Sequence, residues 1–167
     1  TVRSTEKGTT FELYFPATRK KTDEAPTGIS MNAYKGRGET VLIVDDQESQ
    51  RAIACNLLSA LNYQPFAVDS GEEAVAYLQQ NKADLVLLDM IMDPGINGRE
   101  TYERILTINP EQKAIIASGF SEDEEVNKIH DLGVIQFVKK PYGIAQIGIA
   151  IKQTLLSTPS PQNVHGD

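Results

Sequence analysis

The sequence predicts an α/β domain built on a doubly wound, five-stranded parallel sheet. Three observations lead there. Short apolar runs alternate with helical patterns from Thr40 to Leu156, the runs are apolar on both faces, and four of them end on polar residues. Strands apolar on both faces belong to sheets covered by helices on both sides, and regular alternation with helices makes such a sheet parallel. Five units of this kind fit the flavodoxin-like strand order 2-1-3-4-5.

The elements follow in order. Val41-Leu42-Ile43-Val44 is the first strand and stops at Asp45-Asp46; the helix after it puts Ile53, Leu57, Leu58 and Leu61 on one face. Pro65 to Val68 is a weak strand, and Ser70-Gly71-Glu72-Glu73 opens a helix carrying Ala74, Val75 and Leu78. Asp84 to Leu88 is a second buried run, ending at Asp89. Beyond the Pro94-Gly95 turn, Tyr102, Ile105 and Leu106 mark the third helix. Lys113 to Ala117 is a strand that ends at Ser118-Gly119. A polar helix over Glu122 to Leu132, a strand over Val134 to Val138 ending at Lys139-Lys140-Pro141, and a helix over Ile144 to Leu156 complete the domain.

Residues 40–157 are thus predicted to form one domain and residues 158–167 a flexible tail. Residues 17–39, rich in Lys, Thr, Pro, Gly and Asp without apolar periodicity, read as linker. Ahead of them Phe11-Glu12-Leu13-Tyr14-Phe15 reads as a strand. A lone strand builds no core, so residues 1–16 belong to something else.

Composition excludes several functions. A net charge of -7 with scattered basic residues argues against a nucleic-acid surface. The single cysteine, Cys55, sits on an apolar helical face, which leaves no disulfide framework or zinc set and fits a reducing, cytoplasmic compartment. No run approaches the roughly 20 apolar residues of a membrane span, and no signal-peptide pattern opens the chain. No membrane contact by this chain is expected; any anchor of a parent protein would lie outside it.

In a doubly wound sheet, ligands sit at the carboxyl ends of the strands. Asp45 and Asp46 follow the first predicted strand, Asp89 the third, Ser118 the fourth and Lys140 the fifth. Taken singly, each has an ordinary explanation: a helix cap, a turn residue, a loop pair, a surface charge. Together they place three carboxylates, a hydroxyl and an ammonium at one edge. Three close carboxylates raise one another's pKa unless a cation joins them, and oxygen ligands alone select Mg²⁺. Asp89 can then act as a nucleophile forming an aspartyl-phosphate, with Mg²⁺ on Asp45, Asp46, Asp89 and a backbone carbonyl near Ile91. Lys140 and Ser118 would meet the remaining phosphoryl oxygens.

These residues carry a resemblance. Val41-Leu42-Ile43-Val44-Asp45-Asp46, Leu87-Leu88-Asp89-Met90, Ile116-Ala117-Ser118-Gly119 and Phe137-Val138-Lys139-Lys140-Pro141 resemble the response-regulator receiver family of two-component signalling. The likeness runs from Thr40 to about Leu156. It implies Asp89 as phosphorylation site, Asp45 and Asp46 as Mg²⁺ ligands, Ser118 as switch hydroxyl, Lys140 as phosphate-contacting lysine and Phe137 as switch aromatic. Lys139 competes with Lys140, but Lys140 directly precedes the proline, as in the family. One departure is the loop Met92-Asp93-Pro94-Gly95-Ile96-Asn97-Gly98, which is one residue longer than usual and adds Asp93, read as a solvated turn residue or, alternatively, as one that tunes metal affinity or partner choice.

Residues Ser4 to Pro16 look like the last hairpin of a histidine-kinase ATP-binding domain. The resemblance therefore implies a receiver following the catalytic domain of a hybrid sensor histidine kinase. The nucleotide-binding boxes of that domain are absent from these residues, and neither His130 nor His165 has a phosphodonor's setting, so no labelling of this chain by ATP is expected. Expected partners are a histidine-kinase dimerisation and phosphotransfer domain or a histidine phosphotransfer protein. A second copy, met through the receiver or the orphan strand, is a further candidate. The expected output is a protein-contact face of the polar helix, fifth strand and final helix, shifted in population by phosphorylation. The main rival is a Mg²⁺-dependent phosphohydrolase of the haloacid dehalogenase type, but Ile91 stands where that family needs a second Asp. A flavin binder needs a phosphate loop where Asp46-Gln47-Glu48 would repel phosphate.

Overall fold

The computed structural model describes residues 1–12, 14, 30–119 and 136–157. The described strands are β1 Val2–Thr5, β2 Gly8–Phe11, β3 Thr40–Val44, β4 Gln64–Val68, β5 Leu85–Asp89, β6 Ala114–Ser118 and β7 Gln136–Lys139. The described α-helices are α1 Glu48–Ala60, α2 Gly71–Gln80, α3 Gly98–Ile108 and α4 Ile144–Leu156. The expected polar helix over 122–132, the tail over 158–167 and linker residues 17–29 lie outside the described residues.

Strands β3 to β7 form one parallel sheet in the order β4-β3-β5-β6-β7. This is the expected 2-1-3-4-5 arrangement. Its two faces account for the continuous apolar runs, because side chains alternate across a strand. Val41, Ile43, Leu85, Leu87, Ile115 and Ala117 pack with Leu58 and Leu61 of α1 and Ile147 and Ile151 of α4. Leu42, Val44, Val86, Leu88, Ala114 and Ile116 pack with Ala74 and Leu78 of α2 and Tyr102 and Ile105 of α3. Both sets are buried, so a one-residue register slip would interchange two shaped cores.

That register positions the chemistry. Val44 pairs with Leu88, Asp89 with Ala117, and Ser118 with Lys139, so the strands finish level at one edge of the sheet. Two helices that follow strands start on short polar caps. Ser70 Oγ accepts from Glu73 N at 3.4 Å, and Asn97 Oδ1 accepts from Glu100 N at 2.9 Å.

Three local expectations change. Ile53 is half exposed, because the buried stripe of α1 runs Ala54, Leu58 and on to Leu61, one position round from the expected face. At the N-terminus β2 ends at Phe11, where the expected strand began, and residues 13, 15 and 16 lie outside the described residues. Gly8, at φ +137°, closes a turn that pairs Gly8–Phe11 with Val2–Thr5, and this turn sets the register.

The third difference concerns the stretch read as linker. Its described end, residues 30–39, packs on the sheet domain. Tyr34 is buried, and a Cβ on Gly148 of α4 would collide with its ring. Tyr63 Oη donates to the Tyr34 carbonyl at 3.1 Å, Asn62 Nδ2 to the Gly36 carbonyl at 3.0 Å and Lys152 Nζ to the Lys35 carbonyl at 3.2 Å. A single aromatic anchor has no periodicity, which is why the sequence does not announce it.

Replacing Tyr34 with alanine should therefore cost about 3 kcal/mol of stability, as for other buried aromatic truncations. Urea unfolding checks this: an unmoved midpoint would show the anchor to be dispensable.

Candidate functional site

The edge where β3, β5 and β6 end collects all five expected residues. Asp45, Asp89 and Ser118 are buried, and Asp46 and Lys140 are half-buried. One oxygen from each of Asp45, Asp46 and Asp89 lies within 4.8 Å of the others. Lys140 Nζ stands 2.6 Å from Asp45 Oδ2 and 2.9 Å from Asp89 Oδ2. The lysine in the pocket is thus Lys140, whereas Lys139 is exposed at the end of β7.

Backbone geometry holds the set in place. Lys140 N donates to the Ser118 carbonyl at 2.8 Å, which ties the end of β7 to the end of β6. Gln47 N donates to Asp45 Oδ1 at 2.9 Å, and Ile91 N donates to Asp89 Oδ1 at 3.4 Å. Gly98 must be glycine, since a Cβ there would run into the Asp89 carbonyl. The lengthened loop is pinned to the start of α2, where Glu72 Oε1 accepts from Ile96 N at 3.1 Å. Asp93 is exposed and stands outside the carboxylate cluster, as a solvated turn residue does.

The electrostatics are those of too many carboxylates for one ammonium. Burial pushes the Asp89 carboxyl above its ordinary range; the hydrogen bond and charge of Lys140 pull it back, and Asp45 pushes it up again. Asp46 Oδ1 is buried without a hydrogen-bond partner. An unpaired buried carboxylate oxygen is costly, and an all-oxygen cluster with one such orphan fits a hard divalent cation. Phe137, paired with Ile116, is half-buried against the core layer that holds Leu88 and Ile116.

Two neighbours carried no signal in the sequence reading. Arg51 Nη1 donates to the carbonyls of Asp45 at 2.7 Å and Asp46 at 2.9 Å. An arginine in line with the buried Ala54 and Leu58 stripe of α1 was the available clue. Tyr142, half-buried, has its phenol pushed up to about 12, chiefly by burial and then by Asp45, Asp89 and Cys55. It stays neutral beside the acidic cluster.

A parallel α/β domain with an acidic, lysine-bridged pocket at its strand ends defines a class of phosphoryl-handling or cation-binding proteins. Within it, the response regulator receiver domain model matches residues 41–152, and the chain belongs to that family. It is 32% identical over 117 residues to the sporulation initiation phosphotransferase F of Bacillus subtilis, covering 70% of this chain and 94% of that one. It is 26% identical over 158 residues to the sensor kinase CckA of Brucella abortus, covering 89% of this chain but only 17% of that protein. Among solved structures, the response regulator TrrA of Thermotoga maritima superposes with a TM-score of 0.64 at 26% identity, covering 71% of this chain and 99% of that one. Residues 41–152 are a receiver domain of the two-component signalling type. No helix among the described residues is long and apolar enough to cross a membrane.

The raised Asp89 pKa has a consequence for stability. The folded state binds this proton more tightly than the unfolded chain, so stability falls as pH rises from the ordinary 3.8 through the raised value. Asp89→Asn should accordingly melt higher than the native chain at neutral pH with chelator present. The advantage should shrink as pH falls toward 3.8. Equal melting temperatures at neutral pH would show that Lys140 fully compensates the buried charge.

Proposed function

We propose that Asp89 is the phosphoacceptor and that the chain receives a phosphoryl group from a phosphohistidine. The observation that carries this is the Lys140 ammonium set 2.9 Å from Asp89 Oδ2 within a cluster of three carboxylates. In the transfer an Asp89 oxygen forms a bond to phosphorus as the P–N bond to the donor imidazole breaks. The phosphoryl group then remains as a mixed anhydride on Asp89. Lys140 is placed to leave the Asp89 carboxylate for a phosphoryl oxygen. The Ser118 hydroxyl, at the end of the neighbouring strand, would take another. Asp45, Asp46, Asp89 and the Ile91 carbonyl are the proposed Mg²⁺ ligands. When bound, Mg²⁺ supplies charge neutralisation for the incoming oxygens. TrrA, similar in fold and sequence, was crystallised with Mg²⁺ and BeF, which supports a Mg²⁺ site in this chain.

Switching would follow from the same geometry. Ser118 drawn toward the phosphoryl group vacates space on the side of β6 toward β7, and Phe137, half-buried on β7, shifts inward. Phosphorylation then biases two populations of the face around β7 and α4.

The hybrid-kinase context is proposed as well. The match to CckA extends over 158 residues, well beyond the 41–152 of the receiver, and so takes in residues ahead of the domain. Residues 1–16 would then close a kinase ATP-binding domain, with residues 17–39 joining it to the receiver over 40–157. The phosphodonor would be a kinase dimerisation domain or a histidine phosphotransfer protein.

Incubation with acetyl phosphate and Mg²⁺ should yield one phosphate adduct by intact mass, absent in Asp89→Asn and without chelator-free metal. An adduct that persists in Asp89→Asn would remove the assignment. The adduct should also be long-lived, because the side chain two residues on, Ile91, is apolar and 53% exposed, and cannot orient an attacking water. Decay within seconds after the donor is removed would count against that account.

A further inference from the structure

Asp45 and Asp46 differ in how their carboxylates are held. Asp45 is fixed at both oxygens, by Gln47 N at 2.9 Å and by Lys140 Nζ at 2.6 Å. Asp46 Oδ1 is buried and has no partner at all. No hydrogen bond aims that oxygen, so its direction rests on packing and on the backbone that carries it. That backbone is held by Arg51. A single nitrogen, Nη1, donates to the carbonyls of both Asp45 and Asp46, at 2.7 and 2.9 Å.

The position of Arg51 suits this task. Residues 51, 54 and 58 share one stripe of α1, and Ala54 and Leu58 are buried in the core below. Arg51 is half-buried at the top of that stripe, so its stem is packed and its head reaches the strand end. A guanidinium donating to two successive carbonyls restrains the two peptide units that follow Asp45 and Asp46. It thereby limits the directions in which both Cα–Cβ bonds can point.

We propose that Arg51 is a positioning residue that preorganises the Asp45-Asp46 turn for the divalent cation. This rests on the proposed cation site. Arg51 touches neither cation nor phosphoryl group, and acts through the two aspartates.

The sign of its effect on cation affinity separates this role from two others. A guanidinium acting through its charge alone repels Mg²⁺, and its loss would tighten binding. One that only stabilises the fold would lower the melting temperature and leave metal affinity unchanged. A positioning residue weakens Mg²⁺ binding when lost, in the way that outer partners of metal ligands do.

The test is calorimetric titration of the 167-residue chain with Mg²⁺, with melting temperatures recorded with and without the metal. Arg51→Gln should raise the dissociation constant about tenfold and shrink the Mg²⁺-induced rise in melting temperature. Arg51→Lys, which keeps the charge on a shorter side chain that reaches the two carbonyls less well, should fall between native and Arg51→Gln. Unchanged or tighter binding by Arg51→Gln overturns the proposal. Should that variant not fold, native affinity in Arg51→Lys overturns it equally. Asp46→Asn is the separate control on the site: if it binds Mg²⁺ as the native chain does, the cation-site reading itself falls. If Asp46→Asn loses binding while Arg51→Gln keeps it, only the role of Arg51 is lost.

Discussion

The arrangement of this domain turns on one buried interaction, the Lys140 ammonium held between Asp45 and Asp89. Two carboxylates removed from water would not stay charged side by side without it, and a third, Asp46, stands within the same cluster. The three partners come from chain segments separated by many residues, so the interaction exists only if β3, β5, β6 and β7 finish level. The sheet register and the two apolar layers secure that. Lys140 N bonding to the Ser118 carbonyl adds a last local constraint, fixing where the lysine leaves β7.

The loop after Asp89 shows how an extra residue is accommodated without moving the carboxylate. Gly98 lets the start of α3 close against the Asp89 carbonyl. At the far side of the loop, Glu72 takes the Ile96 amide, and Ile96 lies over Gly71 at the start of α2. The loop is thus clamped at both ends, and Asp93 within it is exposed and outside the cluster. Length variation is spent on the surface while the backbone beside Asp89 is kept.

Most of the sheet and the five site residues were legible because their signals are repetitive or local. Doubly buried strands leave unbroken apolar runs, and residues such as Asp89 or Ser118 stop those runs at the edge where ligands bind. What escaped depends on single side chains acting over distance. Tyr34 anchors a stretch of linker composition through one ring and one carbonyl, without a periodic pattern to betray it. Arg51 looks like an ordinary polar helix residue until the buried stripe of α1 is known to run through Ala54 rather than Ile53. The pairing of β2 with β1 depends on a turn whose register is set by Gly8, a matter of backbone conformation more than of hydrophobic pattern.

Charge balance explains why such a pocket would couple cation and phosphoryl group. Three carboxylates against one ammonium leave a deficit that a divalent cation can cancel. Phosphorylation at Asp89, as proposed, would replace one negative charge by about two and restore a deficit smaller than the metal-free one. Each bound charge therefore makes room for the other: the cation lowers the cost of the phosphoryl group, and the phosphoryl group strengthens the hold on the cation. With neither in place the carboxylates face one another across Lys140 alone, and the Asp89 pKa is raised, chiefly by burial and in smaller part by Asp45. A pocket so built would be least balanced with neither charge in place, and a divalent cation would relieve that tension before a phosphoryl group arrived.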